Sequence, residues 1–187
     1  ILCYFHFPGL PQAALWRKLR SEYRSLLSGL GFFDDELEMY AHTKANLIAR
    51  SSKILTSTSQ PKYGRSIVVG SGPSLDQSME KYSYLFADAF VVAAGTAVEP
   101  LLTAGIRVDA CVILERGNNL ITVYEEMSKR VDLSKVNLVA SSTVSPELYR
   151  FFKDVIYFFR PGLNIHPGFG ADGDDTLYGC DPTVSNT

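Results

Sequence analysis

The spacing of apolar positions changes character near residue 65. Before it they recur every three or four residues. Leu15, Trp16, Leu19, Tyr23, Leu26 and Leu27 form one stripe of a predicted helix, with Arg17, Lys18, Arg20 and Arg24 crowding a solvated opposite side. Gly29 and Gly31 end it. Asp34 or Asp35 caps a second helix, whose expected inward positions are Leu37, Tyr40, Ala41, Leu47, Ile48 and the stem of Lys44. Ser51 to Tyr63 is rich in Ser, Thr, Gln and Pro and reads as a linker.

Beyond the linker, short unbroken apolar runs alternate with helical patterns. Ile67–Val69, Ala89–Ala94, Ala110–Leu114, Val136–Ala140 and Val155–Phe159 read as buried strands. A helix follows Ser74, with Leu75, Met79, Tyr82, Leu85 and Phe86 at helical spacing. Another runs from Thr96 or Glu99 to Ala104 and stops at Gly105. A third is capped by Asn118 or Asn119 and buries Leu120, Val123, Tyr124 and Met127; a fourth spans Ser145 to Phe152. Strictly alternating strands and helices require a parallel sheet covered by helices. The expected fold is α/β, a Rossmann-like, doubly wound and mainly parallel sheet. Residues 1–60 make an N-terminal helical segment and linker, and residues 61–187 make the sheet domain.

The chemistry concentrates where strand one gives way to its helix. Gly70-Ser71-Gly72 breaks the apolar run and lets a ligand approach the backbone without a Cβ in the way. Pro73 suits the opening of a helix, and Ser74 with Gln77 has capping-box spacing. Free N–H groups and a positive helix end then meet at one spot, which suits a phosphate. No Gly-Lys-Ser/Thr follows, so this is not a Walker loop, and Leu75 stands where a dinucleotide fingerprint has its third glycine. An ordinary strand-to-helix turn has the same residues, and Asp76 in the first helical turn competes for the dipole.

Parallel sheets bind ligands beyond the C-terminal ends of their strands. That rule selects Gly70 to Ser74, then Gly95 and Thr96, Glu115 and Arg116, Ser141, Ser142 and Thr143, and finally Arg160. The hydroxyls are also ordinary helix caps. Glu115 directly after a buried strand needs a reason, either a ligand or an ion pair with Arg116 or Arg160.

Composition narrows the class. Of 187 residues 46% are hydrophobic and 20% charged, enough for one domain with a real core. The net charge of -2 argues against a non-specific nucleic-acid binder. Cys3, Cys111 and Cys180 are three widely spaced thiols without a CxxC, which fits a reduced, cytoplasmic protein. No stretch approaches a membrane span, and Ile1 to Phe7 is a poor signal peptide. Asp172, Asp174 and Asp175 read as an exposed acidic loop rather than a metal site. The chain starts without methionine and stops as a new helix begins, so it is read as part of a longer protein.

Four segments carry a family resemblance: GFFDDELEMYAHTKANL (Gly31 to Leu47), IVVGSGPSLD (Ile67 to Asp76), LLTAGIRVDACVILE (Leu101 to Glu115) and PTVSNT (Pro182 to Thr187). In this order they resemble the motility-associated factor (Maf) proteins, flagellin glycosyltransferases. Those share a core with 6-hydroxymethylpterin pyrophosphokinases and, more distantly, with bacterial sialyltransferases. The resemblance implies that Gly70, Ser71, Gly72, Pro73 and Ser74 hold the nucleotide of a CMP-activated nonulosonic acid, of pseudaminic or legionaminic type. The sugar passes to Ser or Thr hydroxyls of flagellin, the acceptor partner, in flagellum assembly and motility. Ala104 to Asp109 followed by Glu115 matches a second family motif, with Val108 in place of a proline and Glu115 in place of an aspartate. Asp181-Pro182 stands where the family has Gly-Gly, and the family's next strand is absent.

The implied chemistry breaks an anomeric C–O bond through an oxocarbenium-like state. The departing phosphate needs donors and the acceptor hydroxyl needs a base. Glu115 is the first candidate base and His166 the second. Gly70 to Ser74, Gly95, Thr96, Asp109, Ser141, Ser142, Thr143 and Arg160 are the candidate nucleotide contacts. No cofactor or metal is expected on this reading. A pterin pyrophosphokinase is the alternative. It would use ATP and magnesium, with Asp109 and Glu115 as metal ligands. A non-catalytic flagellar assembly or binding module is the other.

Overall fold

The structure, a computed structural model, describes residues 14, 16–18, 20, 33–48, 53–55, 64–117 and 119–159. The chain divides into two compact units, Ile1–Glu36 and Leu37–Thr187. In the first, the described residues from Ala14 to Arg20 are helical, with Trp16 half-buried and Arg17, Lys18 and Arg20 exposed, as the stripe predicts.

The second unit carries a six-stranded parallel sheet in the order β1-β6-β5-β4-β3-β2. The strands are β1 (Lys53–Ile54), β2 (Ser66–Val69), β3 (Phe90–Ala94), β4 (Ala110–Ile113), β5 (Asn137–Ser141) and β6 (Val155–Phe158). The helices are α1 (Phe33–Ile48), α2 (Leu75–Tyr82), α3 (Val98–Thr103) and α4 (Asn119–Ser128), with a 3-10 turn over Pro146–Phe151. The expected α/β class and parallel sheet are what the chain adopts. The segment expected to be a linker holds β1 on the edge beside β6, too short at two residues to show a period. The compact units divide after Glu36, so α1 from Leu37 onward lies in the unit that carries the sheet.

From β2 to β6 the chain steps across the sheet in one direction. Right-handed crossovers then put the connecting helices on one face. The register confirms it: Val69, Ala93, Cys111, Leu138 and Val155 form one row across five strands, and Ile113, Ala140 and Tyr157 form the next. These rows pack with Leu75, Val98, Leu101, Tyr124, Met127, Leu148 and Phe152 from the helices and the 3-10 turn in one core. On the opposite face Ala110, Val112 and Phe158 are buried, while Val68, on edge strand β2, is exposed. Gly105 ends α3 at φ +73, with Gly105 N–H donating to Leu102 and Ile106 N–H to Leu101, the paired bonds of a Schellman cap.

Helix α1 inverts its expected face. Leu37, Tyr40 and Ile48 are exposed, whereas Met39, Thr43 and Asn46 are buried. The reason lies at the ends of β5 and β6. Asn46 Nδ2 donates to the carbonyls of Ser142 at 2.8 Å and Val144 at 2.9 Å, and the Tyr157 hydroxyl donates to Asn46 Oδ1 at 3.0 Å. His42 Nδ1 lies 3.1 Å from the Thr143 carbonyl. Leaving a buried polar group unpaired costs about 1–3 kcal/mol, so satisfying carbonyls outweighs burying one more aliphatic side chain.

Replacing Asn46 by Ala strands three polar partners and is expected to destabilise the protein by at least about 2 kcal/mol. Replacing Ile48 by Ala, at a position 73% exposed, should cost no more than about 0.5 kcal/mol. Urea titration of both variants checks the contrast. A larger loss in I48A than in N46A would contradict the inverted face.

Candidate functional site

The C-terminal ends of β2, β3 and β4 converge on one cavity. A cavity of about 370 Å³ is lined by Gly70 and Ser71 after β2, Gly95 and Thr96 after β3, and Leu114 and Glu115 after β4. Leu120 and Tyr124 of α4 complete it. Gly95 makes its turn at φ +55, a conformation L side chains rarely adopt. The turn brings Thr96 Oγ1 to 3.2 Å from Ser71 Oγ, so the hydroxyls of two neighbouring loops are joined. A second cavity of about 640 Å³ lies against the same turn, lined by Gly70, Ser71, Gly72 and Ser74 together with Ile67, Leu75, Tyr82 and Phe86.

The glycines of the first turn have no structural cause. Neither Gly70 nor Gly72 has a positive φ, and a Cβ added to either meets nothing within 4 Å. What their bareness leaves is open space over the backbone at the start of α2. Leu75 N–H is used by the Gly72 carbonyl at 3.0 Å, while the rest of the first helical turn has donors without intrahelical acceptors. Ser74 occupies the N-cap position but makes no side-chain cap bond, so the expected capping box does not form and its hydroxyl is exposed.

Other candidates are placed elsewhere. Ser141, Ser142 and Thr143 are buried under α1, where Ser141 Oγ lies 2.9 Å from Thr143 Oγ1 and Thr43 Oγ1 donates to Ser142 Oγ at 3.4 Å. They close the end of β5 instead of facing a ligand. Asp109 sits at the opposite end of β4 from Glu115. Its carboxylate accepts from Val91 N–H at 2.9 Å and pairs with Arg107 at 3.2 Å. Asn137 Nδ2 donates to its carbonyl at 2.9 Å. Asp109 thus ties the beginnings of β3, β4 and β5 together. Glu115 lies six positions further along, past the four residues of β4, roughly 20 Å away along the extended chain, so the two carboxylates cannot share a metal ion. Glu115 is exposed, which removes the burial cost that first drew notice to it, and it makes no ion pair with any described residue. Arg116 turns instead towards α1, with Nη1 at 2.9 Å from Met39 Sδ. Arg160 and His166 lie outside the described residues.

The profile of a family described as 6-hydroxymethylpterin diphosphokinase MptE-like matches residues 38–187. The chain belongs to this MptE-like family. Among solved structures, a Maf glycosyltransferase from Magnetospirillum magneticum AMB-1 superposes with a TM-score of 0.78 at 27% identity. The match covers 95% of this chain and 28% of that one, so the chain spans little more than a quarter of the relative's length. No curated protein matches. The resemblance to Maf and pterin-kinase-like proteins drawn from four sequence segments is thereby borne out. No helix among the described residues is long and apolar enough to cross a membrane.

Two residues at this cavity escaped the strand-end rule because they point inward. Cys111 Sγ donates to the Gly95 carbonyl at 3.4 Å, and the Tyr124 hydroxyl lies 3.7 Å from the same sulfur. Both are fully buried beneath the cavity. Cys111 on β4 and Tyr124 on α4 read in the sequence only as core positions. Burial pushes the thiol up to about 12 from an ordinary 9.0, partly offset by the tyrosine hydroxyl. Burial, then the adjacent thiol, also raises the Tyr124 hydroxyl.

In the folded protein burial holds the Cys111 thiol protonated at pH 8. Iodoacetamide should therefore leave Cys111 unmodified until urea unfolds the chain, as read by peptide mass mapping. Its contribution to stability is complete below pH 9.0, where the unfolded thiol is neutral, and is lost as pH rises towards 12. Rapid alkylation of the native state at pH 8 would contradict this placement.

Proposed function

We propose that this chain is the nucleotide-sugar-binding part of a Maf-like glycosyltransferase. In this reading it moves a nonulosonic acid from a CMP donor to Ser or Thr hydroxyls of flagellin. The observation that carries the nucleotide site is the bare glycine turn: Gly70 and Gly72 leave open space over a helix start, at the junction of two cavities. The solved relative, named a glycosyltransferase, supports the reaction class.

The chemistry asks little of side chains. As the anomeric C–O bond breaks, negative charge grows on the departing CMP phosphate. N–H groups at the start of α2 and the positive end of its dipole meet that charge without reorganising. Gly72 matters because a side chain there would occupy the phosphate's approach. Glu115 is the carboxylate that the cavity offers to hydroxyl groups.

A second reading follows from the family's own description, diphosphoryl transfer from ATP to a hydroxymethylpterin. It needs magnesium, and the pair Asp109 and Glu115 cannot supply the ligands. The CMP reading stands ahead of it for that reason.

CMP should raise the melting temperature of the intact protein. At a hundredfold excess over Kd the stabilisation is about 2.7 kcal/mol, or roughly 5–10 °C. Gly72→Val should stay folded, since the new side chain meets open space, yet lose the shift. A shift with ATP and magnesium but none with millimolar CMP would replace this reading by the kinase.

A further inference from the structure

The strand-end cavity carries the wrong charge for a phosphate. Among the described residues that line it, Glu115 is charged and none is Lys, Arg or His. A phosphate set beside Glu115 would meet repulsion with no counter-charge. The Tyr124 hydroxyl lies beside Cys111 Sγ, which leaves the Thr96 and Ser71 hydroxyls, joined at 3.2 Å, as the other polar side chains of the lining.

An ionised carboxylate is an acceptor only, with two oxygens spaced to take two neighbouring O–H donors. Hydroxyls such as Thr96 and Ser71 both donate and accept, so they serve the outer lone pairs of the same ligand groups. A carboxylate and hydroxyls lining one cavity can recognise a pair of adjacent alcohols. The donors of the α2 helix start lie towards the second cavity, which Gly72 and Ser74 line. The two cavities share Gly70 and Ser71. A nucleotide laid across the turn thus offers its phosphate to the helix start on one side and its ribose to Glu115 on the other.

We propose that Glu115, with Thr96 and Ser71, forms a ribose-diol subsite, so that the site selects ribonucleotides over 2′-deoxynucleotides. Glu115 is then a binding residue and not the base that deprotonates the acceptor. The inference rests on the nucleotide-binding reading above, but not on which nucleotide is bound.

Calorimetric titration of the intact protein with CMP and with 2′-deoxy-CMP tests it. Loss of one hydrogen bond to a charged acceptor predicts roughly ten- to a hundredfold weaker binding of the deoxynucleotide. In Glu115→Gln the affinity for CMP should fall towards that of 2′-deoxy-CMP, and the gap between them should shrink below about threefold. Glu115 is exposed, so the variant should melt with wild-type protein. If only ATP with magnesium binds, the same comparison with 2′-deoxy-ATP tests the subsite while the CMP reading fails. Equal affinities for ribo- and deoxynucleotide overturn the proposal. So does an E115Q variant that keeps its affinity and loses turnover, which would make Glu115 the base. Absence of binding by either nucleotide overturns both this subsite and the reading beneath it.

Discussion

Asn46 donates to the Ser142 and Val144 carbonyls and accepts from the Tyr157 hydroxyl, so one amide side chain closes three polar groups at the ends of β5 and β6. The consequence reaches beyond stability. A parallel sheet presents carbonyls and loop N–H groups along its whole C-terminal edge, and each must find water, a ligand or protein. Helix α1 takes the β5 and β6 end of that edge. Among the described residues, the part above β2, β3 and β4, where the glycine turn, Thr96 and Glu115 converge, has no such cover.

The same logic separates two kinds of glycine in this chain. Gly95 and Gly105 are explained by backbone conformation, because both sit at positive φ. Gly70 and Gly72 are not, and no neighbouring atom forbids a side chain at either. A glycine that the fold does not need, at the mouth of a cavity and the start of a helix, is what the proposed nucleotide site rests on. Beneath it, Cys111 and Tyr124 fill the floor with groups that stay neutral, so the electrostatics of the cavity are set by Glu115 and by backbone dipoles.

Much of this was legible in the sequence, and the parts that were not share a cause. Short apolar runs gave the strands from β2 to β6, and Gly105 marked the end of α3, because both depend on neighbours in the chain. The inward face of α1 did not, since its partners Ser142 and Val144 lie 96 and 98 positions away from Asn46. Apolar spacing counts hydrophobic area and is blind to carbonyls that need donors. Strand-end hydroxyls at Ser141, Ser142 and Thr143 therefore looked open when α1 covers them. Asp109 was drawn in by a motif match, yet it lies at the far end of its strand and fixes register. Glu115 lines the cavity at the end of β4, but without the burial that first drew notice to it.

The central claim is that a nucleotide phosphate rests on the backbone of the glycine turn. Amide chemical shifts followed through a CMP titration of isotope-labelled protein test it directly. The account predicts the largest shifts at Gly70, Ser71, Gly72 and Ser74, with a second group at Gly95, Thr96 and Glu115. Shifts centred instead on Arg107, Arg130, Lys135 and Lys153, which line a cavity at the opposite edge of the sheet, would contradict it.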